Sequence, residues 1–385
     1  MIGLCLKFEQ TNYGSKLQAL ATIKVFEKLG LGFKIIHYEK AGIFFKIKAL
    51  TRVFNSTFRQ DKIEDFSRNR AIKKHPEISS FLLVRRKMFE KFDAENFEKY
   101  VIKGRYYKDI KEIAEQFDSI VSCSDQLWSP AGLGTNFYNL MFVPDNINKV
   151  SFASSFGVSR IPWYQKKATA RYLRRIEHIS CRENRGAEIV KELTGRDVPV
   201  LMDPVFAFSK EEWKSLVPEE VVYKEPYIFC FLLGNNPNHR VTSVKFANKV
   251  GLKIVCIKHL DQYVKSDKDF GDICPYEANP FQFLNILRGA SYVITDSFHG
   301  CAFSIILQKS FVVFNRYALG ASSSKNSRIE SVCSNLSLSD RIADETTELC
   351  DLFNKKIDWE QVVDKQMAYK SKMWSYLHDA LIKES

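Results

Sequence analysis

Nowhere in this chain does an uncharged apolar run approach the roughly 18 residues that a membrane-spanning helix needs. It has no Cys-x-x-Cys pair, which argues against a zinc knuckle or a thioredoxin-type redox motif. It has no Gly-x-Gly-x-x-Gly, so a dinucleotide site is not supported. No zinc finger, RRM or other nucleic-acid module is present, and nucleic acid is not an expected partner. No constellation of ligating side chains demands a metal ion, and none is expected. No internal repeat is visible on the scale of solenoids. The opening run Met1 to Lys7 is short and is followed by Glu9, so it reads as a first strand rather than a signal peptide.

What is present is a globular composition. The chain has 385 residues, 45% of them apolar and 13% aromatic, which argues for two domains with packed cores. Its nine cysteines lie mostly in strand-like apolar runs, where free cysteine is a small buried hydrophobe. A reducing cytoplasm follows as the expected compartment. The net charge of +12 calls for an anionic partner, either a small anionic substrate or a membrane face.

The densest signal is Ser291 to Arg316. The β-type run Tyr292 to Thr295 breaks at Asp296-Ser297-Phe298-His299-Gly300, an apolar helix-like stretch follows, and Phe311 to Phe314 reads as the next strand. Such a βαβ unit places its first turn at the carboxyl end of a strand, where open α/β sheets bind ligands. Ser297 suits an N-cap, and the free N–H groups behind it favour an anion. His299 is placed to donate to that anion or to move a proton. A capped helix with a merely hydrogen-bonded histidine fits the same residues.

The rest of the chain repeats this grammar. Ile2 to Leu6, a polar turn with Asn12, Tyr13 and Gly14, a helix from about Ser15 to Leu29, and Phe33 to Tyr38 form another βαβ unit. Phe117 to Cys123 leads into Ser124-Asp125-Gln126-Leu127-Trp128, a carboxylate beside rings that suits recognition of a sugar, or a plain capped turn. His178 to Cys181 leads into Arg182-Glu183, where a guanidinium at a strand end can grip a carboxylate or phosphate, or pair with a surface acid. The rhythm changes across Gly195 to Pro226, the expected domain junction. A second α/β series runs from Tyr227, and the small, polar Gly320 to Arg328 reads as a loop whose Arg328 can fold over an anion. Lys40 to Lys74 is rich in lysine and arginine around an apolar stripe of Ile43, Ile47, Leu50, Phe54 and Phe58. It fits an anionic membrane surface, a helix packed on the domain, or an active-site lid. Two α/β halves predict two Rossmann-like domains facing across a cleft. We set them at 1–195, with the basic insertion 40–100, and at 196–350, followed by a helical tail 351–385 that packs back on the first.

Taken in order, the motifs resemble the polysaccharide pyruvyl transferase family. The matching blocks are Asn12 to Ala19, Ser124 to Trp128, Ser154 to Gly157, Cys181 to Glu183, Asp296 to Gly300, Asn315-Arg316 and Ser327 to Ile329. Lys40 to Tyr100 matches none of them. The resemblance implies a GT-B-like fold with the site between the domains, the first carrying the acceptor and the second the donor. It implies transfer of a pyruvyl group from phosphoenolpyruvate to two sugar hydroxyls as a cyclic ketal, with no cofactor. The family's anion-gripping arginine falls on Arg182 and its donor-site histidine on His299. Asp125, Asn12 and Arg328 carry over more loosely. His299 would supply or relay the proton, and Asp296 or Asp125 would accept one. Tyr13, Gly14, Ser124, Trp128, Ser297, Phe298, Gly300 and Arg316 complete the expected binding residues. The expected acceptor is a hexose such as galactose, to be closed as a 4,6-ketal, on an undecaprenyl-diphosphate-linked capsule or exopolysaccharide precursor at the inner membrane face. A GT-B glycosyltransferase using a nucleotide sugar and a non-catalytic glycan-binding protein are the alternatives.

Overall fold

The computed structural model describes residues 1–41, 59, 63, 66, 70, 73–260, 263–317, 326–344 and 346–382. Most of Lys40 to Lys74, and the Gly320 to Lys325 part of the expected loop, lie outside them. Of the basic stretch, Arg59, Ile63, Phe66, Arg70, Lys73 and Lys74 are described and exposed.

The first half builds a parallel sheet from β1 (Ile2–Cys5), β2 (Phe33–Tyr38), β3 (Val101–Gly104), β4 (Ser119–Cys123), β5 (Asn148–Ser154) and β6 (His178–Cys181). Its order is β3-β2-β1-β4-β5-β6, the doubly wound arrangement in which the crevice opens between the first and fourth strands. The second half builds a parallel sheet in the order β11-β10-β9-β7-β8, from β7 (Tyr227–Phe231), β8 (Lys253–Cys256), β9 (Tyr292–Thr295), β10 (Phe311–Phe314) and β11 (Ile342–Ala343). β4 and β7 are buried at every residue, as befits central strands covered by helices on both faces.

The helices are α1 (Tyr13–Lys28), α2 (Pro76–Asn96), α3 (Tyr107–Ala114), α4 (Lys166–Arg175), α5 (Asn184–Thr194), α6 (Lys210–Leu216), α7 (Pro237–Val250), α8 (Pro280–Gly289), α9 (Phe298–Ile306), α10 (Ser327–Asn335), α11 (Leu349–Asn354) and α12 (Trp359–Leu381). α1 starts two residues earlier than the apolar periodicity predicts. Asn12 caps it by accepting from Ser15 N at 3.1 Å, so Tyr13 and Gly14 are already helical.

Several elements strap the two halves together. Tyr13 stacks on Phe283 of the second half, with centroids 4.9 Å apart, and its hydroxyl donates to Ala278 O at 2.8 Å. Arg85 of α2 donates to Lys258 O at 2.7 Å and Tyr276 O at 3.3 Å. α12 returns to the first sheet, where Tyr376 donates to Ser151 O and Asn148 donates to Ala380 O. The carboxyl ends of the two sheets therefore meet at one crevice.

Candidate active site

Three strand ends of the first sheet supply polar groups to that crevice. After β1, Asn12 turns the chain into α1. After β4, Ser124 and Asp125 both adopt positive φ, +44° and +57°, a strained pair that turns the chain sharply out of the sheet. Ser15 Oγ donates to Asp125 Oδ2 at 3.2 Å and holds that turn against α1. After β6, Arg182 enters the crevice and Glu183 turns back to fasten the neighbouring loop. Glu183 Oε1 accepts from Ser155 Oγ at 2.9 Å and Phe156 N at 3.1 Å. Glu183 is buried and does not pair with Arg182 at the surface.

Arg182 meets instead Asp203, a residue outside the sequence motifs. Its Nη1 donates to Asp203 Oδ2 at 2.6 Å, and Ser124 Oγ donates to the same oxygen at 3.2 Å. Asp203 reaches this position because Val200 bridges Cys181 in parallel, extending the first sheet by one short segment beyond β6. It then caps a short helical turn through Val205 N at 3.2 Å. Across the crevice, His299 Nε2 lies 3.6 Å from Asp203 Oδ2, within ion-pair reach but long for a hydrogen bond.

The electrostatics follow from burial and charge. Burial alone would raise the Asp203 carboxyl, but His299, Arg182 and the Val205 N–H outweigh it and hold it below the ordinary carboxylate range. Asp125 is likewise lowered despite burial, by Lys7, Arg182 and His299. Burial pulls the Arg182 guanidinium down, and Asp203, Asp125 and Glu183 more than restore it. For Arg328 the balance runs the other way. Enclosure and the charge of Arg182 pull it down to about 10, against the opposing pull of Asp125 and Glu183.

Both guanidinium groups face one ring. Arg182 Cζ lies 4.8 Å and Arg328 Cζ 5.7 Å from the centroid of Phe298. Arg182 Nε and Nη2, Arg328 Nε and His299 Nε2 are enclosed without a hydrogen-bond partner among the described residues. Unmet donors on two cations at one buried place form a receptor for an anion with several oxygens.

His299 is positioned by close packing. It follows Ser297, which caps α9 by accepting from Gly300 N at 3.4 Å. A Cβ on Gly300 would meet Thr295 Oγ1 at 2.4 Å, and one on Gly14 would meet His299 Nδ1 at 2.1 Å. The first turn of α1 is thus pressed against the imidazole from the other domain.

The remaining expected residues are spread more widely. Asp296 is engaged by the backbone: its oxygens accept from Leu233 N at 2.6 Å and Gly234 N at 2.8 Å, and Arg316 Nη2 donates to its main-chain carbonyl at 2.9 Å. Asp296 and Arg316 thus tie the loop after β7 to the turn after β9. Tyr13 is spent on the domain contact described above. Trp128 is buried against Phe156 and Tyr172, with its indole N–H donated to Tyr138 O at 3.2 Å, behind the crevice rather than in it. Among the described residues, no group of three or more His, Cys, Asp or Glu side chains is placed to hold a metal. None of their helices is long and apolar enough to cross a membrane.

A model of the polysaccharide pyruvyl transferase family matches residues 12–316, from the cap of α1 to the arginine after β10. The chain belongs to that family. No curated protein matches it in sequence. Among solved structures, a putative UDP-N-acetylglucosamine 2-epimerase from Listeria monocytogenes superposes with a TM-score of 0.53 at 11% identity, over 100% of this chain and 97% of that one. UDP-GlcNAc 2-epimerase from Methanocaldococcus jannaschii superposes with a TM-score of 0.51 at 13% identity, over 97% and 99%. At such identities the likeness is one of fold. Like these proteins, this member of the family pairs two Rossmann-like domains across a cleft in the GT-B-like manner.

Proposed function

We propose that this transferase moves the pyruvyl group of phosphoenolpyruvate onto two hydroxyls of one hexose in a polysaccharide precursor, releasing phosphate. The observation that carries the reading is the pair Arg182 and Arg328, whose unmet donors flank Phe298 beside His299. Phosphoenolpyruvate brings a carboxylate and a phosphate on one carbon, and it needs two cationic grips and one proton donor.

In the proposed reaction, His299 protonates the methylene carbon, making it a methyl group and leaving C2 electron-poor. The first sugar hydroxyl attacks C2 and gives up its proton. Phosphate then leaves, and the second hydroxyl closes the ketal. Of the two hydroxyl protons, one balances the proton placed on the methyl carbon and the other departs with phosphate. Asp203 steadies the protonated imidazole, and we give Asp125, at the end of β4, the role of accepting a hydroxyl proton. Both backbone-facing oxygens of Asp296 are already engaged, so we give it a positioning role. Positioned acid–base groups are worth roughly 10²–10⁴-fold. No cofactor takes part in this scheme. A galactose-type hexose completes it, and the basic residues between Lys40 and Lys74 support a lipid-linked precursor reached at the inner membrane face.

The test is phosphate release from phosphoenolpyruvate with galactose-terminated lipid-linked acceptors, for wild type, His299→Ala and Arg182→Ala. Acceptor-dependent release that vanishes in both variants is expected. Release of nucleoside diphosphate from a nucleotide sugar, with phosphoenolpyruvate inert, would replace this reading with glycosyl transfer.

A further inference from the structure

The connection from β5 to α4 holds a tryptophan out of the fold. Trp163 is 83% exposed and its neighbour Tyr164 40%, with the two rings edge to face at 5.8 Å. Single exposed rings are ordinary on a protein surface. This pair, however, is fixed in place. Ile161 is buried before it and Gln165 after it. Gln165 Nε2 donates to Pro130 O at 3.2 Å, in the segment that follows β4. Arg185 Nε, in the first turn of α5, donates to Ser159 O at 2.5 Å. The turn is thereby tied between the segments after β4 and β6, at the end of the first sheet where Asp125 and Arg182 leave their strands.

A basic face adjoins the two rings. From Ser159 to Ile176 the chain has six lysines and arginines and no Asp or Glu. Arg160, Lys166, Lys167, Arg171 and Arg174 are exposed, while Tyr172 and Leu173 bury the other side of α4 against the domain. The acids nearby are engaged elsewhere. Asp145 pairs with Arg175, Glu188 and Glu192 with Arg185, and Asp197 with Lys191, and Glu177 accepts from Lys149 N at 2.8 Å. Among the described residues the five exposed cations are left without an ion pair.

We propose that this face, Trp163 and Tyr164 with the exposed basic side of α4, docks the enzyme on an anionic lipid bilayer. Lysines and arginines meet anionic headgroups, and a ring with one polar N–H settles at the headgroup boundary. Two rings fall far short of a stable protein interface, which buries about 800 Å² on each side, but they suffice for shallow insertion assisted by charge. The docking depends on no step of the pyruvyl transfer proposed above. It also assigns the contact to a face other than Lys40 to Lys74. Docked in this way, the enzyme turns the carboxyl end of its first sheet toward the lipid.

The test uses the full chain and vesicles that carry neither sugar nor donor, so its outcome stands apart from turnover. Cosedimentation is measured with phosphatidylcholine vesicles, with and without phosphatidylglycerol. The variants are Trp163→Ala, Lys166→Glu with Lys167→Glu, and a charge-matched control on the exposed side of α7, Lys245→Glu with Lys249→Glu. Thermal unfolding checks that each is folded. Wild type should bind only the anionic vesicles. A basic residue near such a surface contributes about fivefold in affinity, so reversing Lys166 and Lys167 should weaken binding by at least about twentyfold. Trp163→Ala should weaken it by about tenfold and remove the blue shift of tryptophan emission that accompanies binding of the wild type. The control pair should change it far less. Absence of binding to anionic vesicles, or equal losses from the two lysine pairs, overturns the proposal. So does binding that Trp163→Ala and the Lys166 and Lys167 reversals leave intact. A wild-type dimer that Trp163→Ala splits, with vesicles unbound, overturns it in favour of an interface between two copies of the chain.

Discussion

The backbone of Gly14 presses on the imidazole of His299 so closely that a Cβ there would sit 2.1 Å from Nδ1. The two residues belong to different domains, and their contact sets how far apart the sheets can lie at the crevice. It also ties the orientation of the imidazole to the placement of α1.

Gly14→Ala therefore acts on chemistry more than on folding. Alanine suits a helix better than glycine by about 0.5–1 kcal/mol, which offsets part of the clash. His299 must rotate away or the domains must part by about an ångström or more before that Cβ reaches ordinary contact distance. Phosphate release from phosphoenolpyruvate should fall by roughly 10²-fold or more. The melting temperature should move by only a few degrees. A variant with wild-type turnover would show that His299 need not hold this orientation.

Asp203 is the shared anion of the site, bound by Arg182 and Ser124 and facing His299. Asp203→Asn keeps the shape and removes the charge, leaving Arg182 buried with Asp125 at 3.8 Å and Glu183 as the remaining opposing charges. Breaking a buried pair in this way costs about 3–5 kcal/mol. A melting temperature lower by roughly 10 °C is expected for domains of this size. Turnover should fall together with it, because the imidazolium loses its counter-charge. Calorimetry beside a turnover assay checks both; an unchanged melting temperature would mean that the charge is not needed for stability.

The same carboxylates set an acid limit. Asp203 and Asp125 are held below the ordinary carboxyl value in the folded protein. A lowered folded value means that the unfolded chain takes up protons first as pH falls. The stabilisation is complete above the unfolded value of about 4 and is lost as pH drops through the folded values. Urea midpoints between pH 7 and pH 3 should fall steeply only below about pH 4. Asp203→Asn should flatten that slope, and an equal slope in the variant would refute the assignment.

Much of the framework can be read from the residues. The β-branched run Tyr292 to Thr295, the cap at Ser297 and the apolar helix behind it are local features, and the structure has them at those positions. The strand ends bearing Asp125 and Arg182 are legible for the same reason. Asp203 was hidden because its role depends on Val200 pairing with Cys181, a contact that no local pattern predicts. The Asp-Pro step after an apolar run was its only trace, and it reads as a domain junction. Trp128 reads in the opposite direction: a ring beside a carboxylate looks like a sugar platform, and only the fold shows it buried against Phe156 and Tyr172. The tight approach of Gly14 to His299 joins residues far apart in the chain and is a fact of domain docking alone.

Arg182 and Arg328 flank Phe298 but stand on different footings, and their variants should separate. Arg182 is held by Asp203, so its loss leaves a buried carboxylate unpaired and disturbs folding as well as binding. Arg328 has no described ion pair, and its enclosed Nε is unmet, so its loss removes only a grip on the ligand. A hydrogen bond to a charged group contributes about 1.5–3 kcal/mol, or roughly 10–150-fold in affinity. Arg328→Ala should therefore raise the KM for phosphoenolpyruvate by about that factor, while the melting temperature holds or rises. It should hold or rise because removing Arg328 relieves repulsion with Arg182, the same repulsion that helps pull the Arg328 guanidinium down to about 10. Arg328→Lys keeps the charge but not the planar fork and should recover only part of the affinity. Steady-state kinetics over a phosphoenolpyruvate series, run beside thermal unfolding, measures the split. If Arg328→Ala lowers kcat at an unchanged KM, Arg328 acts on the transition state and not on the bound donor.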